Sequence, residues 1–150
     1  QSPTNPKTLY AKLKLKSENY IKKNYEYYSI IRLFNVYGKN QPNGYFISDM
    51  KLKIKNNEKI SIDKSIRDFI HVSEVSKIIN FIIKKNILDT INVGSGKGRN
   101  LKTIINLIGK KLDKKPLIEL SKNHSKIVAD ISLLKSYGYK FSKNEKNFNI

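Results

Sequence analysis

The chain has 150 residues, 39% of them hydrophobic, which is enough apolar material for one buried core and too little length for two. No apolar run approaches the roughly 18 residues of a membrane span, the opening Gln1-Ser-Pro-Thr-Asn-Pro6 has no signal-peptide pattern, and the lack of cysteine rules out disulfides while permitting a reducing cytoplasm. The net charge of +18 invites a polyanion partner. Yet Arg stands only at 32, 67 and 99, the lysines are scattered along the whole chain, and Lys, Ile, Asn and Tyr share A/T-rich codons. Codon bias accounts for that composition, so a nucleic-acid partner is disfavoured. Opening on Gln1 rather than Met, the chain reads as a piece of a longer product.

In chain order, Leu9, Leu13, Tyr20 and Ile21 predict an amphipathic helix from Thr8 to about Asn24, with Pro3 and Pro6 upstream where they do not interrupt it. The apolar run Tyr28 to Phe34 predicts one buried parallel strand, leading through Asn35 to Gly38. After the turn at Gln41-Pro-Asn-Gly44, Phe46, Met50 and Ile54 predict a second helix. Ile60-Ser-Ile62 alternates, and Ile66 to Val72 reads as extended, with Phe69, Ile70 and Val72 inward.

Ser73 is the expected N-cap of a third helix, with Glu74 complementing its dipole and Val75, Ile78, Ile79, Ile82 and Ile83 on its apolar face. Thr90 to Val93 predicts a strand entering Gly94-Ser-Gly-Lys-Gly98, and Leu101 to Leu112 a fourth helix. Pro116 to Leu120 suits a further strand, Asp130 suits the N-cap of a short helix closed by Gly138, and Phe141 to Ile150 reads as a frayed polar tail. Strands alternating with helices define an α/β fold with parallel strands.

Four segments could carry chemistry. Tyr10 and Lys14 share a helix face, and an ammonium beside a phenol favours the phenolate and so proton exchange; alone, the same spacing fits a solvated helix face. Asn35 and Tyr37 follow a strand's carboxyl end, where open α/β sheets bind ligands, though Asn35 could equally satisfy turn backbone. Arg67 could fork onto a diphosphate, and His71 among Phe69, Ile70 and Val72 suits packing. With no Cys and one other His, at 124, no metal site is expected. Gly94 to Gly98 has neither P-loop nor G-x-G-x-x-G spacing and reads as a tight turn.

Together and in order, Tyr10 with Lys14 and Lys16-Ser-Glu18, RLFNVYG at 32 to 38, RDFIHV at 67 to 72, INVGSGKG at 91 to 98 and ADIS at 129 to 132 resemble the second half of the NAD-dependent nucleotide-sugar epimerase/dehydratase group of extended short-chain dehydrogenases/reductases. The resemblance implies the C-terminal half of a Rossmann-like fold with its small substrate-binding subdomain over residues 1–140, and a tail over 141–150. It implies that Tyr10 is the acid/base at sugar C4, that Lys14 holds the nicotinamide ribose and lowers the Tyr10 pKa, and that Phe34 borders the cofactor NAD or NADP. Asn35, Tyr37 and Arg67 would bind the nucleotide-sugar substrate, while Asp68, His71, Gly94, Gly96 and Asp130 would be structural. A homodimer built through the Tyr10 helix is implied, with no membrane partner.

The chain also departs from the pattern. The Gly-rich phosphate loop, the acidic ribose reader and the Ser or Thr partner of the Tyr/Lys pair are missing, so these residues alone are expected to be inactive. The short stretch from Ile60 to Arg67 leans toward 4-ketoreductases, and Lys122 or Lys126 stands nearest where relatives carry another Arg. The rival reading is a catalytically dead basic remnant or binding module.

Overall fold

A computed structural model describes residues 5–142. The elements run α1 (Leu9–Asn24), β1 (Ile30–Leu33), β2 (Asn35–Tyr37), α2 (Phe46–Lys55), β3 (Lys59–Ile62), β4 (Ile66–His71), α3 (Val72–Lys84), β5 (Thr90–Val93), β6 (Gly98–Asn100), α4 (Leu101–Lys111), β7 (Leu117–Leu120), β8 (Lys126–Ile127) and α5 (Ser132–Ser136). β1 pairs in parallel with β5, and β3 with β7. β4 is the hub of the remaining sheet: it runs parallel to β2 and β8 and antiparallel to β6.

The alternation of β4 decides how the interior is divided, because successive strand residues point to opposite faces. Phe69 enters one apolar cluster with Tyr37, Met50, Ile54, Ile60, Ile104 and Ile108, filled from α2 and α4. Its neighbour Ile70 enters the other with Val75, Ile78, Ile82, Ile91, Val93 and Leu134, filled from α3, β5 and α5. The Ile spacing that predicted α3 and α4 therefore marks the faces that bury.

Several local expectations need correction. The run from Tyr28 to Phe34 gives the expected parallel strand as β1, ending at Leu33, but Asn35–Tyr37, expected to be a turn, forms β2 on a different neighbour. Val72 is exposed because it starts α3 instead of ending the strand. The α3 N-cap is His71, whose ring accepts from the Ser73 amide, and not Ser73 itself. Asp130 does accept from the Ser132 amide at 3.0 Å, but from one residue outside the N-cap Ile131. Three helices stop on Asn57, Asn86 and Asp113, each with positive φ, where an αL residue after the last turn frees the chain to leave.

Phe141 and Ser142, expected to begin a frayed tail, are held. Phe141 meets Tyr139 edge-on at 5.2 Å, and Ser142 donates to Glu74 from its amide (3.0 Å) and hydroxyl (2.6 Å). The rest of that expected tail lies outside the described residues. Glu74 is only 1% exposed, so it is no simple dipole partner. Burial pushes its carboxyl up, but hydrogen bonds from Ser142 and Tyr139 outweigh that and hold it below the ordinary range.

A carboxylate with a lowered folded pKa contributes stability that is complete above its unfolded value and is lost as pH falls through the folded one. Urea midpoints should therefore fall more steeply with acid for the unsubstituted chain than for Glu74→Gln below about pH 4.3. Parallel acid limbs for the two proteins would contradict this.

Candidate active site

α1 begins where the Thr8 hydroxyl accepts from the Ala11 amide at 3.2 Å. None of its residues is buried. Tyr10 is 71% exposed, and the Lys14 ammonium lies over its ring, 5.7 Å from the centroid. Four residues further, Glu18 accepts from Arg32 of β1 through both carboxylate oxygens, Nε to Oε1 at 2.9 Å and Nη2 to Oε2 at 2.5 Å. The Arg32 hydrogen bond holds the Glu18 carboxyl below its usual range, and the same bond raises Arg32. Tyr10, Lys14, Glu18 and Arg32 line one shallow cleft of 340 Å³.

The next residues of β1 lead into a larger cleft of 810 Å³, whose wall includes Leu33, Phe34, Asn35, Tyr45, Phe46 and Phe69. This wall is apolar and aromatic, the character expected of a small-molecule site. Asn35 extends its amide to the Asp68 carbonyl at 2.7 Å. Gln41, which in the sequence is only part of a turn, also lines this cleft. It donates to the Val36 carbonyl at 2.8 Å, and its Oε1 is buried without a partner among the described residues.

The remaining expected site residues stand apart from these walls. Tyr37 is 3% exposed, buried in the α2–α4 cluster with its ring edge-on to His71 at 5.2 Å, so it supports the site from behind and does not face the crevice. Arg67 bonds the Ser125 carbonyl at 3.1 Å and the Ser125 hydroxyl at 2.7 Å, which turns its fork toward the segment before β8.

Asp68, by contrast, organises the turn the sequence singled out. It is 0% exposed and accepts from the Ser95 amide (2.9 Å) and hydroxyl (2.6 Å), the Gly96 amide (2.9 Å) and the Ala129 amide (3.1 Å). A Cβ on Gly94 would sit 2.5 Å from Ala129 Cβ and 2.7 Å from Asp68 Oδ2, and so only glycine admits this approach. Among the described residues no group of three His, Asp or Glu could hold a metal ion, and no helix is long and apolar enough to cross a membrane.

Comparison with known proteins places this arrangement. No curated protein sequence matches the chain. Among solved structures, a UDP-N-acetylglucosamine 4-epimerase from Methanobrevibacter ruminantium M1, bound to UDP-N-acetylmuramic acid, is 25% identical with a TM-score of 0.83, covering 97% of this chain and 52% of that one. A UDP-glucose 4-epimerase from Thermus thermophilus, in complex with NAD, is 16% identical with a TM-score of 0.77, covering 92% and 50%. A dTDP-glucose 4,6-dehydratase from Bacillus anthracis str. Ames, also with NAD, is 18% identical with a TM-score of 0.76, covering 98% and 52%.

The chain thus spans about half the length of the structures it matches, and it shares their Rossmann-like α/β fold. The sequence profile of the NAD dependent epimerase/dehydratase family matches residues 1–94, a stretch that carries α1, β1 and the RDFIHV strand. With more than half of its length matched and its fold shared across epimerases and a dehydratase, the chain belongs to the NAD dependent epimerase/dehydratase family.

Proposed function

We propose that these residues form the proton-transfer and sugar-nucleotide side of an NAD(P)-dependent enzyme acting at C4 of a nucleotide-sugar. The observation that carries this reading is the single cleft shared by Tyr10 and Lys14, one step along β1 from the apolar cleft bordered by Phe34 and Asn35. A bound nicotinamide would accept or return the hydride at sugar C4. Tyr10 takes the proton of the C4 hydroxyl as the C–H bond breaks, leaving a ketone, and gives it back in the reverse direction. Lys14, whose ammonium lies over the Tyr10 ring, offers donors to a ribose.

The cofactor fits these residues at one end only. Tyr10, Lys14 and Phe34 suit the nicotinamide ribose and ring, while no G-x-G-x-x-G loop occurs in the sequence to cradle the diphosphate. The dinucleotide's phosphates are therefore held by residues other than these, and the 150 residues alone do not turn over. Asn35 and Gln41 offer polar groups to the sugar nucleotide, and Arg67 offers its fork to the substrate diphosphate by giving up Ser125. Tyr37 acts indirectly, as backing for His71 and the cleft wall. Epimerase and 4,6-dehydratase share this first half-reaction and differ in the fate of the ketone, whereas a 4-ketoreductase runs it in reverse, from the 4-ketone and reduced nicotinamide to the alcohol. The exposed Leu9, Leu13 and Tyr20 of α1 support pairing of that helix with its copy in a homodimer.

The test is a nucleotide-hexose carrying deuterium at C4, given to the nicotinamide-loaded enzyme that contains this chain. Turnover should slow on deuteration and should depend on the cofactor. Turnover indifferent to both, or full turnover by residues 1–150 alone, would overturn the proposal.

A further inference from the structure

α1 has no buried residue and only a half-buried apolar edge of Ala11, Leu15 and Ile21, so apolar packing fixes its place weakly. Its Ser17 and Asn24 side chains bond back into the helix itself, to the Leu13 and Tyr20 carbonyls. Among the described residues, α1 reaches the sheet through the two-pronged bond from Arg32 to Glu18. A planar guanidinium gripping both oxygens fixes orientation as well as distance, and each partner's charged form is favoured by the other.

Tyr10, Lys14 and Glu18 follow one another at intervals of four, so they stand on one stripe of the helix, and all three border the same cleft with Arg32. We propose that Glu18 and Arg32 are positioning residues, which lock the rotation and height of α1 against β1 and thereby place Tyr10 and Lys14 at the reacting end of the site. The inference rests on the role proposed above for Tyr10 and Lys14, but the anchor itself can be measured without catalysis. Neither Glu18 nor Arg32 touches the reacting atoms; each acts through the helix that carries the pair.

The chain has no cysteine, so spin labels can be placed at will. Lys12→Cys in α1 with Asn80→Cys in α3, both exposed, report where α1 sits. Asn80→Cys with Asn106→Cys in α4 report on the body. With Glu18 and Arg32 intact, the α1 distance should form one narrow distribution. It should broaden in Glu18→Gln and in Arg32→Gln and narrow again in the swap Glu18→Arg with Arg32→Glu, while the body distance stays fixed throughout.

In the nicotinamide-loaded enzyme, kcat should fall about tenfold in each single variant, recover partly in the swap, and leave KM within about twofold. An α1 distance that stays narrow in both single variants overturns the inference. So does a body distance that broadens with it, or a broadened α1 with kcat unchanged. Should the distances behave as expected while the parent enzyme turns over no nucleotide-sugar at all, the anchor stands and the chemistry proposed for Tyr10 and Lys14 falls.

Discussion

Replacing Asp68 with alanine is expected to destabilise the fold by about 4 kcal/mol, because three backbone amides lose their acceptor inside a region that water does not reach. Those amides belong to Ser95, Gly96 and Ala129, so one carboxylate joins β4 to the turn after β5 and to the stretch before α5. Each stranded donor costs roughly 1–3 kcal/mol, and relaxation recovers some of the sum. Asp68→Asn is the sharper variant. It keeps the size of the side chain but sets an NH₂ against amide donors, so it should lose most of what alanine loses. Urea denaturation of both variants measures the effect, and a loss below about 1 kcal/mol in the alanine variant would show that the turn finds other acceptors.

Tyr10→Phe should act on rate and leave stability alone. The side chain is largely exposed and its hydroxyl makes no hydrogen bond among the described residues, so its removal costs the fold little. The hydroxyl is, on the proposed reading, the one group that carries the C4 proton. Its loss should lower kcat by about 10²–10⁴-fold, while KM for the nucleotide-sugar stays near its original value, since ground-state binding is not what the phenol supplies. Steady-state kinetics of the nicotinamide-loaded enzyme decide the matter. A kcat within about threefold of the parent would assign proton transfer to another group.

The helices that bury were legible because periodicity is a local property. Ile78 and Ile82, or Ile104 and Ile108, fall on one face whatever the rest of the chain does. The tight turn at Gly94 was legible from its glycine spacing and the structural role of Asp68 through family resemblance, and the hydrogen bonds give that role its physical content. What escaped depends on partners far along the chain. The burial of Glu74 is set by Tyr139 and Ser142, more than sixty residues away, and sequence spacing alone makes it an ordinary first-turn acid.

The strand after Phe34 escaped for a related reason. A polar Asn followed by a Gly three residues on looks like a turn, and only the pairing of Asn35–Tyr37 with β4 makes it a second strand. The burial of Tyr37 and the turning of Arg67 onto Ser125 likewise follow from tertiary neighbours that no motif announces. Asn57, Asn86 and Asp113 could have been read as helix stops, since short polar side chains tolerate positive φ.

The position of β4 between two clusters also bears on how the chain is made. Its strand partners are drawn from residues 35–37 and 126–127 along one edge and from 98–100 along the other. A chain emerging from the ribosome amino end first presents Ile66 to Asp68 long before β6 and β8 exist to pair with them, and of the helices that cover Phe69 and Ile70 only α2 has already been made. During that interval the Ile70 face is uncovered and the Phe69 face has only α2 to meet it. The element that unites the finished interior is thus completed only after most of the polypeptide has been made.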